Sequence, residues 1–228
     1  MLRHELKFYI ASATARLLEL RLAQVMQRDR HTDEFGGYAI RSLYFDSLTA
    51  ASYFDKVEGL DNREKYRIRF YNRSLDYVCL EKKAKIGSGC IKTSTPLSAV
   101  DARLLCSRSF DEVEGDSPLI REFLFRRRHE NFRPYFYVDY TRKAFCYPLG
   151  NVRITLDSDL SVSPFSEALA EKGGFGKCVL PAEHTILEIK FDAFLPPFLS
   201  ALFEDIPKVA CAISKYCLCF EAQLKEYV

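Results

Sequence analysis

The chain has 228 residues, 48% hydrophobic and 28% charged, enough for one large domain or two small ones with a real core and too apolar for a disordered polypeptide. A net charge of +2 carries no bulk basic excess of the kind nucleic-acid binders show, although Arg-x-Arg, Lys-x-Lys and Arg-Arg-Arg clusters concentrate charge locally. Eight cysteines without a single C-x-x-C argue against a zinc ribbon or a disulfide scaffold, and no apolar run approaches the roughly 20 residues of a membrane helix.

Residues 3–10 alternate strictly, with His4, Leu6, Phe8 and Ile10 on one side and Arg3, Glu5, Lys7 and Tyr9 on the other, which predicts a strand. Ser12, Ala13 and Thr14 offer N-cap choices for a helix to about residue 28, with Leu17, Leu20 and Gln24 at helical spacing. Gly36-Gly37 breaks the chain before a second strand over residues 38–46. Further strands are predicted at 64–71, 77–85, 134–144, 152–159 and 185–192, and helices at 98–106, 118–129, 197–204 and 208–226. Many strands with few βαβ alternations predict an α+β fold, an antiparallel sheet or barrel with helices packed outside, in a single domain over residues 1–228.

The strands share a feature that ordinary sheet faces do not. In 64–71, Tyr66, Ile68 and Phe70 oppose Lys65, Arg67 and Arg69; in 77–85, Val78 and Leu80 oppose Glu81, Lys83 and Lys85. Val152, Ile154 and Leu156 oppose Arg153, Thr155 and Asp157, while Leu187, Ile189 and Phe191 oppose Glu188, Lys190 and Asp192. For one strand, a polar face exposed to water is the simpler explanation. Cations two residues apart on several strands, with acids between them, shift the balance toward charged faces turned inward across a barrel. Such an interior needs an anion, a cation or both, because unpaired charge away from water is costly. Arginine forks and lysine point charges suit phosphate oxygens, and carboxylates among them suit a divalent metal with oxygen ligands.

The series Arg3-x-Glu5-x-Lys7, Ser42-Leu43-Tyr44-Phe45-Asp46, Arg67-x-Arg69, Glu81-Lys82-Lys83, Tyr140-x-Arg142-x-Ala144, Arg153-Ile154-Thr155-x-Asp157, Glu188-x-Lys190 and Ser214-Lys215-Tyr216 resembles the VTC (vacuolar transporter chaperone) polyphosphate polymerase domain of the triphosphate tunnel, or CYTH, superfamily. The resemblance implies an antiparallel tunnel barrel, Mn²⁺ or Mg²⁺ as cofactor, and transfer of the γ-phosphate of ATP onto polyphosphate with release of ADP. Carried over residue by residue, it implies that Lys7, Arg67, Arg69, Lys83 and Lys190 meet the reacting phosphates. Arg142, Arg153, Ser214 and Lys215 would bind substrate. Glu188 would hold the metal, and Glu5 and Glu81 would hold metal or orient basic side chains. Arg3 stands where several sister families have the first Glu of Glu-x-Glu-x-Lys, which weakens a thiamine triphosphatase or class IV adenylyl cyclase. The sensing domain and membrane helices of eukaryotic VTC proteins are not in this sequence, so synthesis coupled to translocation would need a separate membrane partner.

Other signals are weaker. Gly173-Gly174-Phe175-Gly176-Lys177-Cys178 lacks P-loop spacing and has Cys178 where Ser or Thr would bind magnesium. Arg126-Arg127-Arg128-His129 fits a solvated helix end better than a nucleic-acid patch. The charged N-terminus is not a signal peptide, and reduced cysteines used as small apolar residues fit a cytoplasmic chain. Three functions stay open at this point: a polyphosphate-forming transferase, a hydrolase of tripolyphosphate or nucleoside triphosphates, and a non-catalytic polyphosphate-binding module.

Overall fold

The computed structural model describes residues 4–87, 89–170 and 176–225. Its elements, in chain order, are β1 (His4–Ala11), α1 (Ser12–Val25), β2 (Gln27–Arg28), β3 (Tyr38–Asp46), α2 (Ala51–Val57), β4 (Arg63–Tyr71), β5 (Ser74–Ile86) and β6 (Gly89–Leu97). There follow α3 (Ala99–Cys106), α4 (Pro118–His129), β7 (Arg133–Tyr147), β8 (Val152–Pro164), β9 (Lys177–Cys178), β10 (His184–Phe191), α5 (Pro197–Ala201), β11 (Val209–Ala210) and α6 (Lys215–Leu224). The class is α+β, with mostly antiparallel strand pairing.

The chain forms two compact units, neither of them a continuous stretch of sequence: Met1–Ala39, Tyr140–Ser161 and Cys178–Leu218 in one, Ile40–Asp139, Val162–Lys177 and Cys219–Val228 in the other. Each has its own core. In the first unit β1 pairs with β10, β10 with β8, and β11 with the outer side of β1. The alternation then sends Ile154, Leu156, Leu187 and Ile189 to one side of the sheet, where Ala15, Leu18 and Leu22 of α1 and Leu199 of α5 cover them. In the second unit β3, β4, β5 and β6 pair in sequence order. Their apolar face, with Leu43, Phe45, Tyr66, Ile68, Phe70, Val78 and Leu80, packs under Ala102 and Leu105 of α3 and Leu119, Ile120 and Phe123 of α4. In both units these helices, α1 and α5 in the first and α3 and α4 in the second, therefore lie on the apolar side of the strands and the charged residues on the other, where α6 begins with Lys215 against Asp157.

Several local expectations change. Ser12 is the first helical residue of α1 rather than its cap, and its hydroxyl donates to the Ala182 carbonyl. Leu17 and Leu20, though helically spaced, are 49% and 67% exposed; Leu18 and Leu22 are the buried pair. The helix expected over 208–226 begins only at Lys215, where Ser214 Oγ accepts from the Cys217 backbone N–H; Val209–Ala210 instead pairs with Tyr9 and Phe8. β6 and α2 lie where no element was expected. Arg3, Gly173, Gly174, Phe175 and Glu226 lie at the limits of the expectations above, the first four outside the described residues and Glu226 outside them as well. Cys79, Cys106, Cys217 and Cys219 are buried.

Candidate functional site

On the first unit, the register of β1, β10 and β8 sets Lys7, Glu188 and Thr155 in one cross-strand row and Glu5, Lys190 and Arg153 in the next. Lys7 Nζ lies 3.4 Å from both Glu5 Oε1 and Glu188 Oε1. Lys190 Nζ lies 3.5 Å from the same Glu5 oxygen and 3.1 Å from Glu188 Oε2. Two ammonium groups thus bridge two carboxylates. Glu188 is 5% exposed. Burial pushes its pKa up, but Lys190, Lys7 and Lys215 hold it well below the ordinary carboxylate value. Burial pulls Lys190 down to about 8, against the attraction of Glu188 and Glu5.

Next to this group, Arg142 donates twice to Asp157, from Nε and from Nη2, both at 2.7 Å, and Lys215 Nζ reaches the same carboxylate at 2.7 Å. Arg142 Nη2 also stands 3.8 Å from Glu188 Oε2, which links the two groups. Arg142 and Lys215 both lie over the Tyr140 ring. Arg153 is oriented from behind: its Nη2 donates to Asp29 Oδ2 at 2.7 Å and to the Tyr38 hydroxyl at 2.9 Å. Ser214 takes part through the cap of α6, the helix that begins with Lys215.

On the second unit, Arg67 stands opposite Glu81 and Arg69 opposite Ser42. Arg67 donates to Glu81 Oε2 from Nε at 2.7 Å and to the Tyr44 hydroxyl at 2.9 Å; Arg69 donates to Ser42 Oγ at 3.1 Å. Lys92 of β6 reaches Glu81 Oε1 at 2.7 Å. Burial raises the Glu81 pKa, but Arg67, Arg69 and Lys92 hold it below the ordinary range. Beside this cluster, Lys65, Lys83 and Lys92 fall in one direct cross-strand row. Like charges directly opposite one another destabilise a sheet, and Glu81 offsets that at Lys92.

The expected residues therefore gather in two sets: Glu5, Lys7, Arg142, Arg153, Glu188, Lys190 and Lys215 on the first unit, and Arg67, Arg69, Glu81 and Lys83 on the second. Asp157 and Lys92 were not singled out in the sequence. Asp157 was visible on the charged face but had no evident role until its two cations were in place. Lys92 went unnoticed because its strand was not recognised. The Arg126–Arg128 run is used within the second unit: Arg126 pairs with Glu64 and Glu130, Arg127 donates to the Phe132 and Ser107 carbonyls, and Arg128 pairs with Asp111.

Among the described residues, no three His, Cys, Asp or Glu side chains form a metal cage. Glu5 and Glu188 are reached by the same two ammonium groups, and one or two carboxylates are what Mg²⁺ or Mn²⁺ asks of a protein when waters and phosphate oxygens complete its shell. Glu81, held by three cations, has the geometry of an anchor for basic side chains.

A family model described as "VTC domain" matches residues 2–223. No curated protein sequence matches the chain. Among solved structures, a candidate adenylate cyclase from Bacillus halodurans is 16% identical, with 90% of this chain and 89% of that one covered at a TM-score of 0.50. The PH1819 protein from Pyrococcus horikoshii OT3 is 14% identical, covering 98% of this chain and 99% of that one at a TM-score of 0.47. At such identities, the likeness to the first concerns the fold alone.

Proposed function

Because this chain belongs to the VTC domain family, we propose that it is a polyphosphate polymerase that transfers the γ-phosphate of ATP onto a growing polyphosphate chain. The observation that carries the proposal is a partly buried sheet face on which Lys7 and Lys190 bridge Glu5 and Glu188, with Arg142 and Lys215 locked on Asp157 beside them. Phosphoryl transfer asks for positioning and charge neutralisation more than for a covalent nucleophile, and that is what such a face offers. On the first unit Lys7 and Lys190 would neutralise phosphate oxygens while Arg142, Arg153 and Lys215 position the nucleotide or the chain; on the second, Arg67 and Arg69 would neutralise phosphate and the Lys65–Lys83–Lys92 row would attract a polyanion. A divalent ion, Mn²⁺ or Mg²⁺, would be held by Glu188 and Glu5 and would supply further neutralisation of phosphate oxygens. The antiparallel tunnel barrel implied by the resemblance belongs to the same proposal, as does action in the cytoplasm with a separate membrane partner. Among the described residues no helix is long and apolar enough to cross a membrane.

The test is incubation of the purified protein with ATP and Mn²⁺, followed by a gel that resolves phosphate chains and an assay for ADP. Chains that lengthen as ADP accumulates are the expected result. Free phosphate with no chains would make the protein a hydrolase, and tripolyphosphate binding without ATP consumption would make it a binding module.

A further inference from the structure

Thr155 is 1% exposed, and its hydroxyl has no hydrogen-bond partner among the described residues. That is unusual, because a buried hydroxyl left without a partner destabilises the fold and most are satisfied. The position is also specific. Thr155 stands directly opposite Glu188 in the β8–β10 register, and on β8 it lies between Arg153 and Asp157 on the same face. Arg153 is committed to Asp29 and Tyr38, and Asp157 to Arg142 and Lys215. Lys7 serves Glu188 from β1, and Lys190 serves it from its own strand. The groups around the hydroxyl thus have partners while it does not, in the middle of the face to which the phosphate-transfer function is assigned.

We infer that Thr155 is a ligand-binding residue whose hydroxyl donates to a phosphate oxygen of the bound polyphosphate or nucleotide. The inference rests on the proposed function and adds a neutral donor to a site otherwise built from full charges. It also explains why a threonine occupies a site where valine, the same shape without the hydroxyl, would give a better-packed β-strand in the ligand-free protein.

Thr155→Val separates the two roles by sign. Without ligand, the variant is expected to melt about 2–4 °C higher than the parent, since an unsatisfied buried group has been removed. Its affinity for tripolyphosphate, measured by calorimetry without metal and again with Mn²⁺, is expected to fall about tenfold in both conditions, and Thr155→Ser is expected to restore it. Binding of Thr155→Val equal to that of the parent overturns the inference and leaves the phosphate-transfer proposal intact. A loss confined to Mn²⁺ also overturns it, assigning the hydroxyl to the hydration shell of the metal. A lower melting temperature with unchanged affinity makes the hydroxyl structural. No tripolyphosphate binding by the parent, with or without Mn²⁺, overturns both the inference and the function on which it rests.

Discussion

Arg67 and Glu81 stand opposite each other on neighbouring strands, with Arg67 Nη2 2.6 Å from Glu81 Oε2. The same carboxylate holds Lys92 at 2.7 Å and lies 3.9 Å from Arg69, so one acid offsets three cations. Glu81→Gln removes that charge and leaves the cations repelling one another. The variant is expected to lose about 3 kcal/mol of stability, the scale for breaking a buried ion pair. Tripolyphosphate is expected to raise its melting temperature more than it raises that of the parent, because the anion replaces the lost carboxylate. Thermal unfolding of both proteins with and without tripolyphosphate checks this. Equal shifts would mean the anion does not meet this cluster.

Glu188 and Arg67 are expected to fail in opposite ways. A carboxylate repels bare phosphate and attracts a divalent ion, so Glu188→Gln is expected to abolish most metal-dependent ATP turnover while leaving metal-free tripolyphosphate binding unchanged or tighter. Arg67→Ala removes a charge-assisted donor and is expected to weaken binding by about 1.5–3 kcal/mol with or without Mn²⁺. ATP consumption and tripolyphosphate affinity, each measured with and without Mn²⁺, decide the matter. Turnover by Glu188→Gln at the parent rate would remove the metal assignment.

The charged faces were legible in the sequence because strand alternation is strict: once Tyr66, Ile68 and Phe70 are assigned to a core, Lys65, Arg67 and Arg69 have only the other face. β6 was not legible. Its residues are mostly half-exposed or exposed on both faces, and Pro96 sits within it, so no apolar alternation marks it as a strand. What reveals it is pairing with β5, a long-range fact that puts Lys92 on Glu81. The buried lock of Arg142 and Lys215 on Asp157 was hidden for the same reason, since it joins residues far apart in the chain. The helical spacing of Leu17, Leu20 and Gln24 misled because α1 carries leucines around much of its circumference. Which stripe faces the core is decided by packing against Ile154, Leu187 and their neighbours rather than by spacing alone.

That orientation of α1 gives its own test. Leu18 is fully buried and Leu20 is 67% exposed. Leu18→Ala is expected to cost about 2–5 kcal/mol through lost burial and a residual cavity. Leu20→Gln is expected to stay within about 0.5 kcal/mol of the parent. Urea unfolding of the two variants measures the difference, and a reversed order would place the other stripe in the core.

Asp157 ties stability to pH. Burial alone would raise its pKa, but Arg142 and then Lys215 outweigh burial and hold it down to about 2, against an ordinary value of 3.8. The folded state therefore keeps this carboxylate ionised at a pH where the unfolded chain has begun to protonate it. The resulting stabilisation, on the order of 2 kcal/mol, is present above about pH 4 and is lost as pH falls through about 2. Glu81 and Glu188 are also depressed and act in the same direction, so the parent curve alone does not isolate Asp157. Asp157→Asn does. At pH 7 it is expected to cost about 3–5 kcal/mol, because Arg142 and Lys215 are left buried without their shared anion. Between pH 4 and pH 2 its stability is expected to fall less steeply than that of the parent, since one linked proton has gone. Denaturant unfolding of both proteins across that range provides the measurement. Two curves running parallel through the window would show that the acid sensitivity belongs to other carboxylates and that the Arg142–Asp157–Lys215 lock does not contribute to it.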